Sequence, residues 1–154
     1  MTDRTIETLA ARKNNYYLEA IAAITPDDLL PGAHDFLRAS RKAGLLLALG
    51  SASKNARGVL EKLGIGHEFD AILDGNDAVE SKPHPEIFIK ATEALGLAPE
   101  EVVVFEDAAK GVQAAIAAGN HVVGLGDPGT LREADIVIPD LAHASPADII
   151  DRIA

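Results

Sequence analysis

Apolar residues recur at helical spacing early in the chain and later gather in short uninterrupted runs. Over residues 4–24, Ile6, Leu9, Tyr16, Tyr17, Ile21 and Ile24 share one side, with Thr2 or Asp3 available as a cap, which predicts a helix. Pro26, Pro31 and Gly32 break this pattern over 25–32, where a hinge is expected. Beyond it, helical periodicity is predicted over 33–43, 53–63, 85–95, 108–118 and 146–153, with Gly64, Gly96 and Gly119 closing three of these segments. Between them lie apolar runs of strand length at 45–49, 71–73, 102–105, 121–124 and 135–138. Strands without polar alternation, separated by amphipathic helices, predict a doubly wound α/β domain, a parallel sheet covered on both faces. The expected organisation is a helical segment at 1–25, a hinge at 26–32 and an α/β core at 33–154.

Length and composition narrow this reading. A chain of 154 residues is the size of one domain, and with 47% hydrophobic but only 4% aromatic residues its core must be built from Ala, Val, Ile and Leu. The formal net charge of −10 argues against nucleic acid and against an anionic membrane as partners. It leaves room for a phosphorylated substrate held by a few local cations and a metal. The absence of cysteine excludes disulfides and thiolate chemistry and limits any zinc site to His and carboxylates. No run approaches the ~20 apolar residues of a membrane span. Residues 1–11 are too polar for a signal peptide, so a cytoplasmic location is expected.

In doubly wound sheets ligands bind at the carboxyl ends of the strands, so the residues after each apolar run carry the functional reading. Gly50-Ser51-Ala52-Ser53-Lys54-Asn55 follows the first run and gathers hydroxyls and free backbone N–H groups at a predicted helix start. That composition suits a phosphate, although Ser51 or Ser53 also reads as an ordinary helix cap. The second run is followed by Asp74-Gly75-Asn76-Asp77 and then Ser81-Lys82-Pro83-His84-Pro85. Extended geometry before proline lets Lys82 reach inward over the strand ends, and the alternative is a solvated surface lysine. His84 makes no ligand spacing with another histidine and reads as structural. The third run ends at Glu106 and Asp107. Two carboxylates closing a buried strand are costly without a cation, and Mg²⁺ takes oxygen ligands. The alternative is an acidic pair facing the dipole of the next helix. Taken in order, Ser51, Lys82 and the Glu106-Asp107 pair converge on one sheet edge. They supply the hydroxyl and amide donors, the fixed cation and the metal-holding carboxylates that a phosphoryl group requires. Gly124-Leu125-Gly126-Asp127-Pro128-Gly129 fits a dinucleotide-binding G-x-G-x-x-G, but Pro128 marks a turn and no such role is expected.

At these residues the chain resembles the haloacid dehalogenase-like phosphotransferases, and within them the β-phosphoglucomutase branch. Gly50 to Asn55 is similar to their second motif, Ser81 to Phe88 to the third, and Val104 to Ala114 to the fourth. Leu9 to Tyr17 resembles the last helix of a mobile cap and Leu30-Pro31-Gly32 the return from cap to core, which makes 1–25 the remnant of a helical cap. The resemblance implies that Ser51 and the Ala52 amide bind the transferring phosphoryl group, that Lys82 neutralises it, and that Glu106 and Asp107 help hold Mg²⁺. It further implies that Ser53, Lys54 and Asn55 contact a distal phosphate and that Lys13 and Asn14 face the substrate from the cap. The implied reaction converts β-glucose 1-phosphate to glucose 6-phosphate through an aspartyl phosphate. Alternatives are a sugar-phosphate or phosphoglycolate-type phosphatase and a non-catalytic phosphate-binding or interaction module. A receiver domain fits poorly, because its acidic pair would come first.

The family pattern opens with a strand ending in Asp-x-Asp, whose first Asp is the nucleophile. Neither Asp27-Asp28 nor Asp74 follows a suitable strand with that spacing. The expectation is therefore a chain that retains the phosphoryl-binding residues without turning over by itself. A central strand would be absent between the strand before Ser51 and the strand before Glu106, leaving two open inner edges. A complementing N-terminal segment, or self-association through the open sheet, is expected to cover them.

Overall fold

Short apolar runs become strands here because helices bury them from both sides. The computed structural model describes residues 16–153, and within them helix α1 covers 16–22. The strands are β1 (Ala48–Gly50), β2 (Ala71–Leu73), β3 (Val103–Glu106), β4 (His121–Leu125) and β5 (Ile136–Ile138). The helices that follow α1 are α2 (Ala33–Lys42), α3 (Ala56–Leu63), α4 (Glu86–Leu95), α5 (Ala109–Ala117) and α6 (Pro146–Ile153). Every strand pairing is parallel, as the doubly wound reading requires. Among the described residues no helix is long and apolar enough to cross a membrane.

Side-chain alternation divides the core into two layers. Val122 of β4 and Val104 of β3 face α4 and α5, where they pack with Ile87, Phe88, Val112, Ala114 and Ala115. Val123, Val103 and Phe105 face the other way, onto Phe36 of α2 and Ile149 of α6. Phe36 and Phe105 meet edge to face with centroids 5.2 Å apart, a favoured aromatic geometry. Small residues on α5 let that helix lie close to the sheet, and Ala114 and Ala115 are fully buried there.

The strands form two sheets, β1-β2 and β3-β4-β5. Among the described residues β1 pairs with β2 alone and β3 with β4 alone, so each has one edge without a strand partner there. Between those edges lies an apolar cavity of about 470 Å³, lined by Leu47, Ala48 and Leu49 on one side and Val103, Val104 and Phe105 on the other.

Local chemistry moves several boundaries from their predicted places. The strand expected at 45–49 is displaced to Ala48–Gly50, because the Leu47 N–H donates to the Asp70 carboxylate at 2.8 Å instead of to a strand. Arg41 grips the same carboxylate at 2.6 Å. The Leu47 N–H, and then Arg41, hold the Asp70 carboxyl below its ordinary value. The helix expected to begin at Ser53 begins at Ala56, because the Ser53 hydroxyl accepts the Asn55 N–H at 3.2 Å and builds a turn that competes with helix. Most other ends shift by a single residue, which helix fraying and ladder pairing absorb. The predicted helix at 4–24 lies partly outside the described residues.

In the 26–32 segment, Pro26–Asp28 forms a single 3₁₀ turn, and Asp28 accepts the Thr25 N–H at 2.8 Å. Gly32 takes the left-handed φ of 78°, and the backbone of Ala142 occupies the place where a Cβ would sit. Both requirements exclude a larger residue there.

Candidate phosphoryl-binding site

The first loop is built by its own hydroxyls. Ser51 N–H donates to the Leu73 carbonyl at 2.9 Å, which carries the β1-β2 pairing one residue past the strand. The chain then turns, with the Ser51 hydroxyl accepting the Ser53 N–H at 3.1 Å. Neither serine caps the helix, whose N-cap is Asn55 without a side-chain bond, so the helix-cap alternative is corrected: the hydroxyls shape a turn ahead of α3. Ala52 and Lys54 are exposed at the surface of this loop, and Asn55 is half-buried.

A second loop packs against the first. Asp74 is buried, and its carboxylate accepts the Asn76 N–H at 2.8 Å and the Asn76 amide at 3.0 Å, with Arg57 Nε at 3.3 Å. Asp77 accepts the Asp74 N–H at 2.8 Å. A Cβ on Gly75 would run into the Ala52 carbonyl and lie 2.9 Å from the Lys54 nitrogen, so glycine allows the two loops to touch.

Lys82 is not a solvated lysine. Its side chain is 19% exposed and that of Glu106 is 10% exposed, and the two are joined as an ion pair. The Lys82 ammonium also lies 3.4 Å from the Gly50 carbonyl and 4.5 Å above the Phe88 ring. It therefore ties the carboxyl end of β1 to the carboxyl end of β3. The Glu106 carboxylate in turn rests on Gly111 of α5, in the space that a Cβ would take. Asp107 is exposed and has no hydrogen bond or ion pair among the described residues. Lys13 and Asn14 lie outside the described residues. The structure thus brings Ser51, Lys82 and Glu106 to one edge.

Pattern reading missed three contributors. Glu86 accepts the Val79 and Glu80 N–H groups at 3.0 and 2.9 Å and pairs with Lys90 at 2.6 Å, which fixes the approach to Lys82. Lys90 also donates to the Asp77 carbonyl at 2.6 Å. In sequence this i,i+4 pair is indistinguishable from an ordinary surface ion pair. Tyr17 of α1, read as part of an apolar helix side, places its hydroxyl 2.8 Å from that of Ser53. No local signal announces such a partner 36 residues away.

Lys90, together with the Glu80 and Val79 N–H groups, holds the Glu86 carboxyl down to about 2 from an ordinary 4.5. A depressed carboxyl contributes stability that is fully present above its unfolded value and is lost as pH falls toward its folded value. Glu86→Gln is therefore expected to flatten the loss of stability between about pH 4.5 and 2. Urea midpoints across that window provide the check, and an unchanged acid limb contradicts the assignment.

Two adjacent carboxylates fit a Mg²⁺ that keeps several waters and takes its remaining oxygens from a substrate phosphate. Glu106 and Asp107 would hold it, although Glu106 already faces Lys82. Among the described residues no group of three or more His, Asp or Glu is placed to bind a metal. Mg²⁺ is thus expected to bind this chain with a dissociation constant of roughly a millimolar or weaker, since affinity follows ligand number and charge. Micromolar binding in calorimetry would contradict this and implicate a further carboxylate.

A model of the haloacid dehalogenase-like hydrolases matches residues 2–119. The chain belongs to this family. Over 132 residues it is 36% identical to a β-phosphoglucomutase of Bacillus subtilis, covering 86% of this chain and 58% of that protein. It is 34% identical over 128 residues to a phosphorylated carbohydrates phosphatase of Thermotoga maritima, covering 79% of this chain and 57% of the relative. The crystal structure of a β-phosphoglucomutase from Clostridium difficile superimposes with a TM-score of 0.91 at 34% identity, over 99% of this chain and 69% of the other. The haloacid dehalogenase-like chain thus spans under three-fifths of these two curated relatives.

Proposed function

We propose that the Ser51–Lys82–Glu106 edge binds the phosphoryl group of a phosphorylated sugar. In the whole protein it serves β-phosphoglucomutase-like transfer, from β-glucose 1-phosphate to glucose 6-phosphate through an aspartyl phosphate. The observation that carries this reading is the largely buried Lys82 ammonium, fixed between the Gly50 carbonyl and the Glu106 carboxylate beside the Ser51 loop. A buried cation at strand ends suits the charge of a phosphoryl group, and its position is set before any ligand arrives.

In this reading Ser51 and the Ala52 amide donate to the phosphoryl oxygens, and Lys82 offsets their charge. Ser53, Lys54 and Asn55 receive a distal phosphate, while Lys13 and Asn14 face the sugar. Mg²⁺, held by Glu106 and Asp107, supplies further charge neutralisation when bound. A sugar-phosphate phosphatase is the second reading, favoured by the relatives named as phosphatases. The two share this edge and differ in whether water or a sugar hydroxyl accepts the phosphoryl group.

Titrating the isotope-labelled chain with β-glucose 1-phosphate tests the binding step. Amide shifts are expected to concentrate at residues 51–55 and around Lys82, to be competed by inorganic phosphate, and to be absent with glucose. Shifts elsewhere, or an equal response to glucose, remove the reading.

A further inference from the structure

We propose that Tyr17 is a positioning residue of this site: its phenolic hydroxyl donates to the Ser53 hydroxyl and leaves the Ser53 proton free for a second phosphate of the ligand. The inference rests on the binding edge proposed above and deepens it, by bringing a residue of α1 to the distal-phosphate position.

A hydroxyl has one proton to give and two lone pairs with which to accept. The Ser53 hydroxyl accepts the Asn55 N–H at 3.2 Å, which uses one lone pair. Its oxygen lies 2.8 Å from that of Tyr17, the ordinary length of a hydroxyl–hydroxyl bond. A phenol is the better donor of the two hydroxyl types, so the Tyr17 proton takes the second lone pair. With both lone pairs used, Ser53 acts only as a donor, and its proton has no acceptor among the described residues. Such a hydroxyl suits a phosphate, whose charged oxygens accept. Without the Tyr17 bond the same hydroxyl rotates more freely, and that freedom is lost on binding.

The rest of the serine is fixed by the loops around it. Its N–H donates to the Ser51 hydroxyl at 3.1 Å, and its carbonyl accepts the Gly75 N–H at 3.2 Å and the Ala56 N–H at 3.3 Å. Tyr17 is fixed from the other side. It lies four residues before Ile21 and so shares a helix face with it, and Ile21 is buried. Near the end of α1, Lys62 of α3 donates to the Ala22 carbonyl at 3.1 Å. Helix α1 is thus anchored to the helix that the 51–55 loop leads into. Tyr17 remains 43% exposed and Lys54, next to Ser53, is exposed. A ligand can therefore reach the serine from solvent and meets a cation there.

The test uses the 154-residue chain, its Tyr17→Phe, Tyr17→Leu and Ser53→Ala variants, and the double variant Tyr17→Phe with Ser53→Ala. The probes are glucose 1,6-bisphosphate and inorganic phosphate. In the ligand-free parent a nuclear Overhauser contact between the Tyr17 ring and the Ser53 β-protons is expected, and its absence overturns the inference. Amide titrations are expected to show Tyr17→Phe binding the bisphosphate about fivefold more weakly than the parent, the order of one hydrogen bond, while inorganic phosphate followed at Lys82 changes by less than about twofold. Ser53→Ala should lose about tenfold, and adding Tyr17→Phe to it should change the affinity by less than about twofold, because Tyr17 acts through Ser53. A merely structural ring predicts instead that only Tyr17→Leu loses affinity, and that result overturns the inference. An additive loss in the double variant would make Tyr17 a direct ligand, and tighter binding by Tyr17→Phe would make its hydroxyl a competitor of phosphate; both overturn it. A parent that shows the Overhauser contact but binds neither probe removes the proposed function and this inference with it. A parent that binds both probes, with Tyr17→Phe equal to it, removes this inference alone.

Discussion

Lys82→Ala is expected to destabilise the domain by about 3 kcal/mol and to weaken phosphate binding by at least tenfold. Removing one partner of a largely buried ion pair leaves the other charge without compensation, and losses of ~3–5 kcal/mol follow when burial is complete. The Glu106 side chain is 10% exposed and rests against Gly111, so it has little room to turn toward water. The loss of the Lys82 stem from the Phe88 ring adds to the effect. Lys82→Met separates the two terms, since it keeps much of the stem and removes the charge. In a double-mutant cycle, Lys82→Ala with Glu106→Ala should cost less than the sum of the single changes, because the stranded carboxylate is gone. Urea midpoints and the phosphate titration are the measurements. A Lys82→Ala chain with the parent midpoint and parent phosphate affinity contradicts the assigned role.

The same lysine explains why so much of the site was legible in sequence. Ser51, Lys82 and Glu106 each follow an apolar run, and in a parallel sheet such positions reach one edge whatever their separation along the chain. Continuous apolar runs also revealed burial on both faces, which structure repeats in the opposite orientation of Val122 and Val123. What stayed hidden depends on distant or ambiguous partners. The Glu86–Lys90 pair looks like any helix-surface pair until Val79 and Glu80 are seen donating to it. Tyr17 looks apolar until Ser53 is found beside its hydroxyl. The start of α3 was misplaced because serine hydroxyls bond equally well within a turn and at a helix cap. The glycines at 75 and 111 carry no sequence signal of their role, which is to leave space for the Ala52 carbonyl and the Glu106 carboxylate.

The split sheet and the site are one structural problem. Ser51 stands at the end of the two-stranded sheet and Glu106 at the end of the three-stranded sheet, and Lys82 links those ends. The relative placement of hydroxyl, ammonium and carboxylate thus depends on how firmly the two sheets are held together. The Lys82–Glu106 ion pair fixes that relation at one point.

Assayed by itself, the 154-residue chain is expected to form no glucose 6-phosphate from β-glucose 1-phosphate, even with Mg²⁺ and a bisphosphate primer. Transfer through the enzyme requires a nucleophile in line with the phosphorus and about 3 Å from it. Apart from Asp107, the carboxylates near the edge are committed elsewhere. Glu106 is paired with Lys82, and Asp74 is held by Asn76 and Arg57. Asp77 accepts the Asp74 N–H, and Asp107 is exposed. The remaining groups at the edge can lower the energy of a bound phosphoryl group but cannot form the covalent phosphate on which interconversion depends. Coupled detection of glucose 6-phosphate reports mutase turnover, and release of inorganic phosphate reports the phosphatase reaction separately. Glu106→Ala serves as the control for a contaminating enzyme. Turnover that is robust in the parent chain and vanishes in that variant would overturn the expectation, and would make Asp107, which has no ion pair among the described residues, the first carboxylate to test as the nucleophile.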